Sequence, residues 1–428
     1  MLKQHIKKIS EGSLLVLILN AVSYAGSFIL AVLVSGFLGI EALGNYSLIF
    51  AFVLILGIVS DFGLSTLLVR KLGEYKFNAK ETINSFNLIK IILSAVIIIV
   101  IFVTAFLFFT KIYYPAFFIG IFLILPRTLM STYEASIRSF LNQKYPVIIK
   151  SANSLLQLAL SYYFLSTGYG LSAVMICILI PDIITLLLLM LINNNVIDKF
   201  NSESNSGNII SDKPLKKRFT LILKESSVFF ANNFLMLSIK GLNVILLGYF
   251  STAAAVGIYS AGSRFVNGIG LFSGALFNSF YPVISNIKND LKTKTELTKK
   301  FILYSFTLGL MITIPLYLFS GNLMELTFKS EDSVIVLKIL SFTMIPVLVY
   351  TVTQSFLFSV YNEIFLTRIL IIAWSLNIIL SIILIKMYDY TGCAVALTFT
   401  EIFLMITQVL KFKSDINKPV RQVTRLSQ

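Results

Sequence analysis

The stretch ALGNYSLIFAFVLILGIVS, residues 42–60, returns 213 residues later as AVGIYSAGSRFVNGIGLFS, residues 255–273, in a chain of 428 residues. Identical residues stand in register in the two copies, among them Gly44 and Gly257, Tyr46 and Tyr259, and Gly57 and Gly270. Turns at a membrane interface favour Gly and Tyr, which offers one explanation. Several matches in register at half the chain length favour the other, an internal duplication.

The composition places the chain in a membrane. Apolar residues make up 57% of it and charged residues only 13%, about half the charged share of soluble domains. Apolar runs of 20 or more residues recur throughout, and each could cross about 30 Å of hydrocarbon as a helix. Membrane strands would alternate apolar and polar residues, whereas stretches such as IILSAVIIIVIFVTAFLFF are continuously apolar. The first run is too long for a signal-peptide core, so we expect it to remain in the protein.

The hydropathy pattern predicts twelve spans. Those of the first half are Leu14–Leu38, Tyr46–Val69, Ile83–Phe109, Pro115–Leu141, Tyr145–Ser166 and Tyr169–Ile192. Those of the second half are Thr220–Tyr249, Ala254–Ile284, Phe301–Ser320, Ser333–Val360, Ile364–Met387 and Thr391–Phe412.

The basic residues predict the orientation. With a cytoplasmic N-terminus, 25 of the 35 Lys and Arg residues lie at the inner face and only three at the outer face: Lys111, Lys329 and Lys386. This asymmetry follows the positive-inside rule and places both termini in the cytoplasm. The net charge of +15 then reflects contact with anionic membrane lipid, and no nucleic-acid-binding or phosphate-loop motif points to another partner.

An even number of spans in each half gives both halves the same orientation. The sequence thus predicts an all-α integral membrane protein of about 12 transmembrane helices, in two parallel-repeat six-helix lobes around a central polar cavity. The predicted boundaries are an N-terminal lobe at 1–192, a flexible cytoplasmic linker at 193–219, a C-terminal lobe at 220–412 and a basic cytoplasmic tail at 413–428.

Catalytic and metal chemistry are not expected. The single histidine, His5, lies in the N-terminal tail, which excludes a histidine-based triad and a histidine-rich metal site. Cys177 and Cys393 each lie inside an apolar span and are interpreted as packing residues. No cofactor is predicted.

Charges inside the spans are the most informative residues, because each costs about 2.5–3.5 kcal/mol at a helix centre. Four lysines lie within about two turns of a span end, where snorkelling would explain them: Lys90, Lys150, Lys224 and Lys338. Three cations lie deeper: Arg127, Lys240 and Arg264.

Polar residues share one helical face in five spans, within roughly 60–100°. The stripes are Arg127, Ser131, Glu134 and Arg138; Lys150, Asn153, Ser154, Gln157 and Ser161; Glu225, Asn232, Lys240 and Asn243; Ser260, Arg264, Asn267 and Asn278; and Asn20, Ser23, Tyr24 and Ser27. Stripes in both halves predict a shared polar cavity. Hydrogen bonding between packed helices is the alternative for any single stripe.

The deep cations predict a negatively charged cargo, and the donor fork of Arg suits phosphate. Glu134 precedes Arg138 by four residues and is expected to pair with it. Asp61, Asp182 and Glu401 have no obvious basic partner on their own helices. They are candidates for coupling to a proton or Na⁺, with hydrogen bonding between helices as the alternative.

Three stretches carry a resemblance to a known family: SGFLGIEALGNYSLIFAFVLILGIVSDFGLSTLLVRKLG, its repeat LNVILLGYFSTAAAVGIYSAGSRF, and NIILSIILIKMYDYTGCAVALTFTE. They resemble polysaccharide repeat-unit flippases of the O-antigen type. These belong to the multidrug/oligosaccharidyl-lipid/polysaccharide exporter superfamily, together with the multidrug and toxin extrusion (MATE) transporters. One departure is Asn243, where many relatives carry an acidic residue in the seventh span.

The resemblance implies a MATE-like fold and movement of an undecaprenyl-diphosphate-linked oligosaccharide from the inner to the outer leaflet of a bacterial plasma membrane. It implies no enzymatic activity, a role in O-antigen, lipopolysaccharide or related surface polysaccharide synthesis, and a polysaccharide polymerase as a partner. Arg127, Lys240 and Arg264 are expected to hold the diphosphate, and Lys150, Gln157 and Asn232 to contribute to substrate binding.

Three rival functions stay open. An ion-coupled multidrug exporter of the same superfamily would want acidic residues for cationic cargo, which the basic bias opposes. Flippases for the peptidoglycan precursor typically have two more C-terminal helices than this sequence. A membrane polymerase or ligase of lipid-linked sugars would be expected to carry a large outer-face loop, whereas the longest loop predicted here faces inward.

Overall fold

A computed structural model describes residues 2–73, 79–108, 114–140, 144–203, 215–287, 290–360 and 362–416. Over these ranges the regular elements are helices: α1 Leu2–Leu38, α2 Ile40–Asp61, α3 Leu64–Gly73, α4 Ala79–Phe108, α5 Tyr114–Ile121, α6 Ile124–Ser139, α7 Lys144–Ser166, α8 Leu171–Glu203, α9 Leu215–Phe250, α10 Ala253–Asn286, α11 Leu291–Leu318, α12 Ser320–Thr327, α13 Asp332–Ser341, α14 Met344–Ser359 and α15 Glu363–Ile416. The predicted all-α membrane fold is confirmed.

The helices correspond to the twelve predicted spans. Nine helical stretches of the described ranges are long and apolar enough to cross a membrane. The last, Ile364–Ile416, would be about 80 Å long as one helix, and Asp389 interrupts it with non-helical angles (φ 55°, ψ −132°), so it accounts for two spans. The remaining two predicted spans match α7 and α10, whose polar stripes lower their mean hydropathy.

The fourth and tenth spans are broken in the same way. Between α5 and α6 the break falls at Phe122, and between α13 and α14 it falls at Phe342, 220 residues later. The two phenylalanines have nearly equal exposure, 47% and 48%. In each case a proline follows in the first turn of the next helix, Pro126 and Pro346, where its missing N–H costs no helical bond. The duplication thus extends to a local backbone feature.

The contacts divide the chain into two compact units. Unit 1 consists of Met1–Leu38 and Leu48–Gly241, and unit 2 of Gly39–Ser47 and Leu242–Gln428. Consequently α2 begins in unit 2 and ends in unit 1, whereas α9 begins in unit 1 and ends in unit 2. The sequence did not predict this exchange of helix ends, and the two lobes at 1–192 and 220–412 stay a prediction.

Helices also occupy part of the predicted linker and tail. Within 193–219, α8 continues to Glu203 and α9 begins at Leu215, so residues 204–214 lie outside the described ranges. Likewise α15 reaches Ile416, and 417–428 lie outside the described ranges. The flexible linker predicted from residue 193 onward is therefore too long, because α8 continues as a helix through the polar residues that follow the sixth predicted span.

The helix after each break lies at the centre of its unit. In unit 1, α6 packs against α3, α4 and α8, and in unit 2, α14 packs against α10, α11 and α15. Apolar clusters hold these helices in place, built around Phe86 and Leu67 in unit 1 and around Phe280 and Phe356 in unit 2. Side chains on α6 therefore meet three neighbouring helices, and this arrangement positions the site described next.

Candidate functional site

A buried ion pair joins the end of α2 to α4 in unit 1. Lys90 Nζ lies 2.6 Å from Asp61 Oδ1, and the Lys90 side chain is fully buried whereas that of Asp61 is 19% exposed. The ammonium also donates to Ser65 Oγ at 2.8 Å, Ser131 Oγ at 2.9 Å and the Thr128 carbonyl at 3.2 Å. We refer to Asp61, Ser65, Lys90, Thr128 and Ser131 as the Lys90 cluster. Its lysine is thus matched by one carboxylate and three neutral oxygens.

The backbone breaks immediately after Asp61. Phe62 and Gly63 both have positive φ, 45° and 71°, which separates α2 from α3. A Cβ on Gly63 would lie 2.5 Å from the Phe230 nitrogen and 2.6 Å from the Ser226 carbonyl oxygen, so only glycine fits against α9 here. The Phe62 ring stacks on Phe230 with centroids 4.6 Å apart. Asp61 is therefore held at a strained, tightly packed helix end.

A second polar cluster surrounds Asp182 on α8. Its carboxylate accepts hydrogen bonds from Arg127 Nε at 2.7 Å, Asn153 Nδ2 at 2.8 Å and Gln157 Nε2 at 2.8 Å. Asp182 is 2% exposed, but Arg127 is 33% exposed. We call Arg127, Asn153, Gln157 and Asp182 the Asp182 cluster. It brings together two residues predicted to bind substrate and one predicted to couple to an ion.

Two expectations from the sequence are corrected by these contacts. Asp61 and Asp182 are not unpaired, since each has a cation on a neighbouring helix. Lys90 does not snorkel to the interface but lies wholly inside unit 1. Spacing along one helix indicates only the partners on that same helix. The signal that points to this pair is the depth of each residue in the membrane. Asp61 and Lys90 lie about eight and seven residues from the inner ends of adjacent predicted spans, which places them at the same level.

Glu134 on α6 also has a different partner from the expected one. Its carboxylate lies 2.8 Å from Lys150 Nζ on α7, whereas Arg138 Nε donates to the Glu134 backbone carbonyl at 3.3 Å. The predicted Glu134–Arg138 pair is therefore wrong, because packing of α7 against α6 brings a lysine to the carboxylate. For the α6 and α7 stripes, these contacts favour hydrogen bonding between helices, the alternative that the sequence left open.

Unit 2 holds a separate set of polar groups. The Arg264 guanidinium lies over the Tyr46 ring at 5.5 Å from its centroid. Glu401 is 7% exposed, and its carboxylate is hydrogen-bonded to the Tyr350 hydroxyl. Ser381 Oγ donates to Asn243 Oδ1 at 3.0 Å. Asn243, which stands where many relatives of the resembling family carry an acidic residue, thus takes part in a buried neutral hydrogen bond.

The two remaining residues predicted to bind substrate, Lys240 and Asn232, both lie on α9. Lys240 is exposed on α9, in the portion that belongs to unit 1. Asn232 lies on α9, but its side chain is outside what the structure describes. Among the described residues, no group of three or more histidine, cysteine, aspartate or glutamate side chains could hold a metal ion.

Comparison with known proteins identifies the family and the fold. The family described as polysaccharide biosynthesis proteins matches residues 9–288, well over half of the chain. A curated relative, "Probable low-salt glycan biosynthesis flippase Agl15" of Haloferax volcanii, is 29% identical over 161 residues. This match covers 36% of the present chain and only 34% of that relative's length.

Solved structures resemble the whole fold. The lipid II flippase MurJ in an inward closed conformation matches with a TM-score of 0.77 at 16% identity, over 97% of this chain and 90% of MurJ. An inward-facing MATE multidrug transporter matches with a TM-score of 0.69 at 15% identity, over 95% and 96%. The Vibrio cholerae MATE transporter VcmN in its bent form gives 0.59 at 16% identity, over 95% and 96%. The chain is a multi-pass membrane protein that belongs to the polysaccharide biosynthesis protein family and has the fold of MurJ and the MATE transporters.

Proposed function

We propose that this protein flips a lipid-linked oligosaccharide across the membrane by alternating access, and that it is a transporter with no enzymatic activity. The observation that carries the proposal is Arg127, a cation inside a membrane-spanning unit whose side chain is one-third exposed. A guanidinium in a membrane span is costly, so it pairs with an acid or faces a polar path. Arg127 pairs with Asp182 through Nε alone, which leaves its other donors for a ligand. Its fork of donors matches the oxygens of a phosphate.

The duplication supports a dedicated anion-binding role for Arg127. The equivalent residue in the second half, one position after Pro346, is Val347. The same fold position therefore does not need a cation for packing. Other charged positions of α6 also have neutral counterparts on α14, since Glu134 matches Gln354 and Arg138 matches Phe358. Charged residues therefore occur on α6 of unit 1 and not at the matching positions of α14 in unit 2.

We propose a polyprenyl diphosphate as the lipid carrier, and specifically an undecaprenyl-diphosphate-linked repeat unit of O-antigen or a related lipopolysaccharide. Arg264 and Lys240 are the further cations proposed for the diphosphate, with Lys150 and Asn232 as further contacts to the cargo. The host membrane would be a bacterial plasma membrane, with both termini cytoplasmic, and a polysaccharide polymerase would take over the product. Asp61 and Glu401 are proposed to couple transport to a proton or Na⁺.

A reconstituted transport assay tests the proposal. Purified protein in liposomes should speed the appearance of an undecaprenyl-diphosphate-linked oligosaccharide on the opposite leaflet, detected by an impermeant glycosidase. The control lipid carries the same sugar on polyprenol without phosphate and should not be flipped. Arg127→Val, which installs the residue of the equivalent position in unit 2, should abolish the difference between the two lipids. Efflux of a cationic dye in place of lipid flipping would support the multidrug exporter instead.

A further inference from the structure

We propose that Asp182 is a positioning residue for the cargo phosphate, which holds the Arg127 guanidinium so that its two Nη groups face the ligand. This inference rests on the proposed function and assigns a role within the same site. In this proposal Asp182 does not couple directly to an ion. Gln157 binds the Asp182 carboxylate, which orients Arg127, and does not bind the cargo.

The carboxylate of Asp182 is already occupied by protein donors. Three hydrogen bonds reach it from α6 and α7, all at 2.7–2.8 Å, and it lies almost completely out of contact with solvent. A buried carboxylate that accepts three hydrogen bonds, one of them from a charged donor, is held in a single orientation. Such a group is well suited to fix a neighbour and poorly suited to exchange a free ion.

Arg127 uses only one edge of its guanidinium for this contact. The hydrogen bond to Asp182 leaves from Nε, and the guanidinium carbon lies 5.0 Å from the centroid of the Phe50 ring. Among the described residues, the two Nη groups of Arg127 form no hydrogen bond or ion pair. An Arg side chain carries five N–H donors, so the four of the two Nη groups remain, and two of these point outward together from the end of the guanidinium. Two N–H groups there can bind two oxygens of one phosphate.

The amide partners explain why Asp182 stays in place when the cargo binds. Asn153 and Gln157 stand one helical turn apart on α7 and both reach Asp182 Oδ1. Asp182 therefore keeps its position and its bond to Arg127 Nε while the Nη groups of Arg127 bind the phosphate. Pro181 immediately precedes Asp182 inside α8 and removes one backbone N–H from that helix. The nearby Ile178 carbonyl accepts a further contact from Gln157 Nε2 at 3.4 Å.

A double-mutant cycle on the full-length protein separates positioning from packing. The probe is undecaprenyl diphosphate in detergent, with undecaprenol as the uncharged reference, and the measurement is the dissociation constant. Asp182→Asn should weaken binding of the diphosphate about tenfold, near 1.4 kcal/mol, with no change for undecaprenol. In an Arg127→Ala background the same change should cost less than about twofold, because the group to be oriented is absent. Asp182→Glu should recover most of the affinity.

The outcomes distinguish this inference from the proposed function. If Arg127→Ala binds the diphosphate as well as the wild type, the headgroup site itself is wrong. If Arg127→Ala loses binding but Asp182→Asn keeps it and loses only ion-driven transport, Asp182 is a coupling site and the positioning role is overturned. Thermal unfolding of each variant controls for stability. The exchange Arg127→Asp with Asp182→Arg restores an ion pair, and recovery of diphosphate binding in it would show that the pair serves packing alone.

Discussion

Gly44 and Gly257, the two copies of one repeat position, pack against each other within unit 2. A Cβ on Gly44 would lie 1.7 Å from the Ala253 carbonyl oxygen, and a Cβ on Gly257 would lie 1.9 Å from the Ile40 carbonyl oxygen. Ile40 and Ala253 are themselves 213 residues apart, so the contact is reciprocal. The first turns of α2 and α10 thus meet as symmetry-related copies, which gives the repeated glycine a structural reason.

The glycine contact predicts a position-specific loss of stability. Gly44→Ala and Gly257→Ala each place a methyl group against backbone, which cannot rotate away, and should cost about 1–3 kcal/mol. Gly57→Ala is the matched control from the same repeat, because no described atom lies within 4 Å of its Cβ and alanine favours a helix. Thermal unfolding of the purified variants checks this. Equal melting temperatures for all three variants would contradict the close contact.

Some features of this molecule are readable from sequence because they repeat along one helix or between the halves. The span pattern and the Gly44–Gly257 repeat belong to this class. The break at Phe122 and Phe342 was missed, since the shared letters around Pro126 and Pro346 are too few to detect at a different spacing. That α2 and α9 each begin in one unit and end in the other leaves no periodic signal in the sequence.

The partners of the charged residues could be predicted less well. A helical stripe shows which side chains share a face but not which neighbouring helix faces them. For this reason Glu134 was assigned to Arg138, four residues away, although α7 brings Lys150 to it. The deep placement of Arg127 followed from its position in the span, whereas its bond to Asp182 depends on how α6 and α8 pack.

The Asp61–Lys90 pair predicts that single and double neutralisation differ. Asp61→Asn leaves a fully buried lysine without its counter-charge and should destabilise the fold by about 3–5 kcal/mol. Lys90→Met should cost less, because Asp61 is partly exposed. The double variant Asp61→Asn with Lys90→Met should regain most of the stability. These differences are measured by thermal unfolding in detergent.

The same double variant tests ion coupling at Asp61 without the folding defect. We expect it to flip cargo down a concentration gradient but to lose stimulation by a proton or Na⁺ gradient in liposomes. Glu401→Gln provides the comparison in unit 2, where the carboxylate contacts Tyr350. Undiminished gradient-driven transport in the stable double variant would exclude Asp61 from coupling.

The Glu134–Lys150 contact predicts a specific charge exchange. Glu134→Lys should lower the melting temperature slightly, since Lys150 is 45% exposed and such pairs contribute about 0–1 kcal/mol. Adding Lys150→Glu should restore it, whereas adding Arg138→Glu should not. Rescue by the Arg138 variant alone would reinstate the pairing expected within α6.

The membrane orientation is testable at two positions. In a Cys177→Ala, Cys393→Ala background, Asn208→Cys should react only with a permeant thiol reagent in intact cells, and Ser251→Cys should also react with an impermeant one. The expectation follows from the excess of Lys and Arg at the predicted inner face. Labelling of position 208 by the impermeant reagent would reverse the topology.

The cationic residues predict an ordered series of transport defects. For Arg127 and Arg264, replacement by Lys should be the mildest change, because it keeps the charge but loses the donor fork. Replacement by Ala should cost more, and replacement by Glu most, since it adds repulsion toward a diphosphate in a poorly solvated site. Arg138→Glu is the control, because Arg138 is exposed in the last turn of α6. The assay compares flipping of the diphosphate lipid with the amount of folded protein for each variant.

If both Arg→Glu variants flip at the wild-type rate, neither guanidinium binds the diphosphate, whatever their effect on stability. If Arg138→Glu is as defective as they are, the loss reflects the net charge of the protein, and the site on Arg127 is wrong.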